Sequence, residues 1–165
     1  MIGKTARYMP AFFLGLALVA GPMATRAATP GLASRPVLTL ALAERLLQAA
    51  LHEATRNGWP GVVAVVDDAG QVVALARMDN AYMRASVDLA PGKARTAVMF
   101  RRPTAVLEGA IDGPRPALVT AQGYVMMKGG EPIVIDGQVV GGIGVSVDTP
   151  DHDEQIAQAA LTVLK

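Results

Sequence analysis

Several side chains in this chain can do chemistry if the fold brings them together. His52 is one of only two histidines, and Arg45, His52 and Arg56 fall at intervals of seven and four residues. That spacing places them in one stripe along a helix. A neutral imidazole can ligate haem iron, and flanking guanidinium groups can neutralise its propionates. The plain alternative is an ordinary solvated helix face. A second group is Arg77, Asp79, Lys93 and Thr96, which end one element and begin another. A helix start offers free N–H groups and positive potential, so these four can form a small anion pocket or a structural salt-bridge cluster. Asp151, His152, Asp153 and Glu154 gather metal-ligating types, yet acids at a helix start also stabilise its dipole, and that reading is favoured.

Other patterns fail their chemical test. Gly142-Ile143-Gly144 lacks the third glycine of a dinucleotide loop, because Val147 stands there. Gly144-Val145-Ser146-Val147-Asp148 ends in aspartate where a nucleophile elbow needs glycine. There is no cysteine, which excludes thiolate catalysis, thiolate metal sites and iron–sulfur clusters. No paired-histidine zinc motif occurs.

The elements that must position these groups follow from periodicity and caps. Residues 1–28 read as a signal peptide: Lys4 and Arg7 precede the apolar run 11–20, and small residues follow. A periplasmic or secreted location is expected, with no stable membrane span after processing. The remainder carries 12 basic and 14 acidic residues, since the signal holds Lys4, Arg7 and Arg26 and no acid. With few aromatics and no basic run beyond Arg101-Arg102, nucleic acid is not an expected partner. Residues 29–37 read as a linker, and residues 38–165 as one domain.

Thr39 is positioned to cap a helix running to Asn57 with Leu40, Ala43, Leu46, Leu47, Ala50, Leu51 and Ala54 on one inward face. Val62–Val66 and Gln71–Met78 read as a hairpin about Asp67–Gly70. A helix spans Ser86–Phe100, with Pro91-Gly92 either following a short turn or marking its true start. A short helix follows Pro103. Strands are expected at Tyr124–Met127, Glu131–Ile135 and Gln138–Val147, the last two joined by Asp136-Gly137. Thr149-Pro150 opens a final helix. The expected class is α+β, a five-stranded antiparallel sheet with helices on both faces, in the order α-β-β-α-α-β-β-β-α. Gly141, Gly142 and Gly144 read as bare strand surface that lets a helix or a neighbouring subunit come close.

Taken in order, Val65–Gly70, Ala76–Asp79, Ser86–Ala90, Lys93–Ala97, Phe100–Thr104, Gly129–Ile133 and Val140–Ser146 resemble the GlcG/HbpS family of haem-binding and haem-degrading domains. The C-terminal domain of PduO-type cobalamin adenosyltransferases is similar. The resemblance covers about Leu38 to Leu164 and implies a five-stranded sheet in a homo-oligomer, often an octamer. Some members bind haem, one exported member is a haem and redox-stress sensor, and others accompany glycolate or propanediol metabolism. The chain departs from the family at Pro91-Gly92 and at Val147-Asp148, and its first helix lacks an acidic E-x-x-E iron pattern. Two functions are therefore carried forward. One is an exported multimeric haem-binding protein for sequestration or sensing, with haem as cofactor, His52 as axial metal ligand and Arg45 or Arg56 at the propionates. The other is a periplasmic accessory protein or enzyme that binds a small organic acid through Arg77, Asp79, Lys93 and Thr96. A multimeric module without a small ligand is a third.

Overall fold

The computed structural model describes residue 31 and residues 33–165, and residues 1–28, read from the sequence as a signal peptide, lie outside them. Residues 35–165 form one compact unit. Helix α1 spans Leu40–Asn57; Thr39 caps it by accepting from the Leu42 amide, and Gly58 ends it in the left-handed conformation. Strands β1 (Val62–Asp67) and β2 (Val72–Arg77) follow. The carboxylate of Asp67 shapes their turn by accepting from the Ala69 and Gln71 amides. Helices α2 (Ser86–Phe100) and α3 (Thr104–Ile111) come next, then a 3₁₀ turn at Pro116–Thr120. Strands β3 (Gly130–Ile135) and β4 (Gln138–Ser146) close on Asp136 and Gly137, both at positive φ, as a two-residue hairpin turn requires. Helix α4 (Pro150–Leu161) starts at the Thr149 cap.

The sheet has four strands, not five, in the order β2-β1-β4-β3, every pair antiparallel. The missing strand is Tyr124–Met127, which has no regular structure. Its composition suits a strand, but its hydrogen bonds go elsewhere. The Val125 amide donates to the Thr96 hydroxyl on α2 at 2.9 Å, and the Lys128 amide donates to the Glu108 carboxylate on α3. Gly129, at φ 101°, then turns the chain into β3. The element order is therefore α-β-β-α-α-β-β-α, and the class stays α+β.

Alternation along the central strands divides the core. Val63, Val65, Ile143, Val145 and Val147 meet the inner faces of α1 and α4. Val62, Ala64 and Val66 turn toward Ala90, Ala94 and Val98 of α2 on the other side. Helix α2 runs without a break through Pro91, so neither expected reading of Pro91-Gly92 holds. Proline there, the sixth residue of α2, removes the one intrahelical N–H donor that would reach the Val87 carbonyl, and the helix continues through it. Helix α2 can lie close because β4 is bare beneath it. A Cβ on Gly142 would sit 2.6 Å from the Ala94 carbonyl, and one on Gly144 2.6 Å from the Ala94 nitrogen. Gly141 faces the opposite way, toward Leu38. Among the described residues no helix is long and apolar enough to cross a membrane.

Candidate functional site

Arg45, His52 and Arg56 all lie on the exposed side of α1, opposite the buried stripe Ala43, Leu46, Leu47, Ala50 and Ala54. Arg45 donates to the Val163 carbonyl at 3.2 Å, a neutral partner that leaves its charge uncompensated. Arg56 pairs with Glu53. Glu53 is itself buried and accepts from Gln155 of α4 at 2.9 Å. The Gln155 bond, with Arg56 and Asn57, holds the Glu53 carboxyl below the usual glutamate range, against its partial desolvation. His52 makes no hydrogen bond with the other described residues and is open to solvent. The stripe is an accessible imidazole between two guanidinium groups, one neutralised in part.

The second group is not brought together as one pocket. Arg77 and Asp79 are exposed at the end of edge strand β2, where Arg77 donates to the Ala81 carbonyl. Lys93 and Thr96 lie on the buried side of α2 itself. The Lys93 ammonium pairs with Asp153 at 2.6 Å and donates to the Val145 carbonyl at 3.0 Å. The second Asp153 oxygen accepts from the Val147 amide at 2.6 Å. Burial pushes the Asp153 carboxyl up, opposed by the ammonium and that amide. Gly129 and Gly130 pass over this pair so closely that side chains there would strike Asp153 and the Lys93 carbonyl. Thr96 donates to the Gly92 carbonyl and accepts from Val125.

The acidic run at α4 is divided in the same way. Asp151 and Glu154 share Lys128, as their spacing on one helical face allows. His152 stacks on Trp59, with ring centres 3.6 Å apart, and pairs with Asp148. Asp153 alone turns inward. No cluster of three or more metal-ligating residues exists among the described residues. A cleft of about 440 Å³ lies elsewhere, with Arg35, Arg101 and Gln138 on its walls. Sequence reading passed over these residues, and the only signal was Arg101-Arg102 at a helix end.

A four-stranded antiparallel sheet between α1/α4 and α2, with a glycine-floored contact and an exposed histidine–arginine helix face, defines an α+β sandwich class. Residues 38–162 match the family described as haem degrading protein HbpS-like, and the chain belongs to that family. Protein GlcG of Escherichia coli strain K12 is 38% identical over 113 residues, covering 68% of this chain and 84% of GlcG. A crystal structure of a double mutant of HbpS from Streptomyces reticuli superposes with a TM-score of 0.77 at 36% identity, over 87% of this chain and 99% of that one. The crystal structure of a PduOC–haem complex superposes with a TM-score of 0.71 at 32% identity, over 77% of this chain and 94% of that one.

Proposed function

We propose that this chain is an exported, multimeric haem-binding protein that sequesters or senses haem. The observation that carries the reading is the exposed His52 between Arg45 and Arg56 in a chain of the HbpS-like family. The donor set fits the group. A porphyrin brings four nitrogens of its own, so the protein would need to supply only one further donor, and His52, with both ring nitrogens free of hydrogen bonds among the described residues, would be that donor. Bound haem would supply redox and oxygen chemistry at its iron. Arg45 is the stronger propionate partner, because Arg56 is shared with Glu53. Arg45 lies seven residues from His52, about 10 Å along the helix axis.

A single convex helix face cannot exclude water from both sides of a flat ligand. The proposed site is therefore completed by a helix of a second copy, which is why the reading includes a multimer. The organic-acid alternative is less favoured because the Lys93 ammonium and the Thr96 hydroxyl are already engaged inside the protein. Adding haemin to the purified protein is expected to give a saturable Soret band that His52→Ala abolishes. Weak, nonsaturable absorbance in the wild type removes the proposal.

A further inference from the structure

The cleft of about 440 Å³ lies between the segment before α1, the β1–β2 turn, the end of α2 and the start of β4. Val98, Met99 and Val139 give it apolar wall, and Arg35, Arg101 and Gln138 give it donors. Volumes of this order suit small molecules, with specificity set by a few placed polar groups. Arg35 is paired with Asp68, so those two charges offset each other. Arg101 takes part in none of the ion pairs among the described residues and leaves the cleft with a net positive charge.

The backbone at Arg101 is a second, independent observation. Its φ is 55° and its ψ 39°, the left-handed state that favours glycine. Its amide donates to the Val98 carbonyl and the Arg102 amide to the Ala97 carbonyl, the bond pair of a Schellman motif. A side chain in that conformation is disfavoured relative to the right-handed one, because its Cβ crowds the following carbonyl oxygen. The turn thus holds a guanidinium at the cleft where glycine would serve the helix end better.

We propose that this cleft binds a small amphipathic monocarboxylate, on the order of ten heavy atoms. The carboxylate meets Arg101 in a bidentate pair, with Arg35 and the Gln138 amide beside it. The aliphatic or aryl body lies on Val98, Met99 and Val139. None of the residues assigned to haem lines this cleft, so the two readings fail separately.

Isothermal titration of the full chain with hexanoate tests the proposal. Saturable binding is expected at one equivalent per chain, with hexylamine inert and phosphate weaker. Arg101→Gly and Arg101→Asn both suit the left-handed turn; each is expected to keep the wild-type melting temperature or raise it, and to weaken hexanoate at least tenfold. Asp68→Asn releases Arg35 and is expected to tighten binding. The Soret response to haemin stays unchanged in the Arg101 variants. The proposal is overturned by an absence of saturable hexanoate binding, by phosphate binding as tightly as hexanoate, or by Arg101 variants that bind hexanoate like the wild type.

Discussion

Two buried carboxylates behave differently because of what faces them. Glu131, on β3, is almost fully buried; it accepts from Gln158 at 3.5 Å and feels the charge of the Glu154 carboxylate on α4. Burial first, then Glu154, pushes its carboxyl above the ordinary glutamate value, with Gln158 opposing. A folded-state pKa raised above the unfolded value adds stability that is complete at low pH and lost as pH rises through the folded value. Glu131→Gln is therefore expected to melt higher than the wild type at neutral pH, with the gap closing in acid. Equal melting temperatures across that range would rule this out. Asp153 instead meets an ammonium. Removing one member of a buried pair strands the other, at a typical cost of about 3–5 kcal/mol. Lys93→Met and Asp153→Ala are each expected to lose stability on that scale in urea unfolding, and the double variant to lose less than the sum. Additive losses would show that the two do not act as a pair.

At the scale of elements, the contact between α2 and β4 carries the architecture. Its closeness depends on two hydrogens in place of side chains, at Gly142 and Gly144. Gly144→Ala would press a methyl group into the backbone of α2 at Ala90 and Ala94, neither of which can rotate away. Overpacking of this kind costs about 1–3 kcal/mol, and the loss is expected as a lower urea midpoint with an unchanged m-value. Gly141→Ala meets the Leu38 side chain and the Val66 carbonyl instead, so the two variants probe opposite faces of one strand. The glycine stripe was legible in the sequence as a place of close approach, because missing side chains on a strand have few other uses. The false strand at Tyr124–Met127 shows the opposite case. Aromatic and apolar residues fit a strand or a buried loop equally well, and the choice fell to the Thr96 hydroxyl 29 residues away.

For the whole molecule, the proposal of an exported multimer makes a joint demand on mass. Native mass spectrometry of protein recovered from the producing cell is expected to show subunits shorter by about the length of a signal peptide, roughly 28 residues, in a closed multimer that retains haem. Full-length monomers would remove both the export and the assembly proposals. The exposed α1 stripe fits such an assembly, because a second copy laid against it would enclose what one helix leaves open.

The sequence by itself determined the elements whose causes are local. Thr39 and Thr149 cap helices through amides three residues on, Asp136-Gly137 closes a hairpin, and Asp67 folds its own turn. It also placed Arg45, His52 and Arg56 on one face, since a helix fixes that relation without reference to the rest of the chain. Only the tertiary structure decided which charges are free. Lys93 and Asp153 stand 60 residues apart and cancel, whereas Arg101 remains uncompensated beside a cleft built from four separate segments. Spacing along the chain carries no information about such partners, because electrostatic pairing depends on distance in space and on what the fold removes from water.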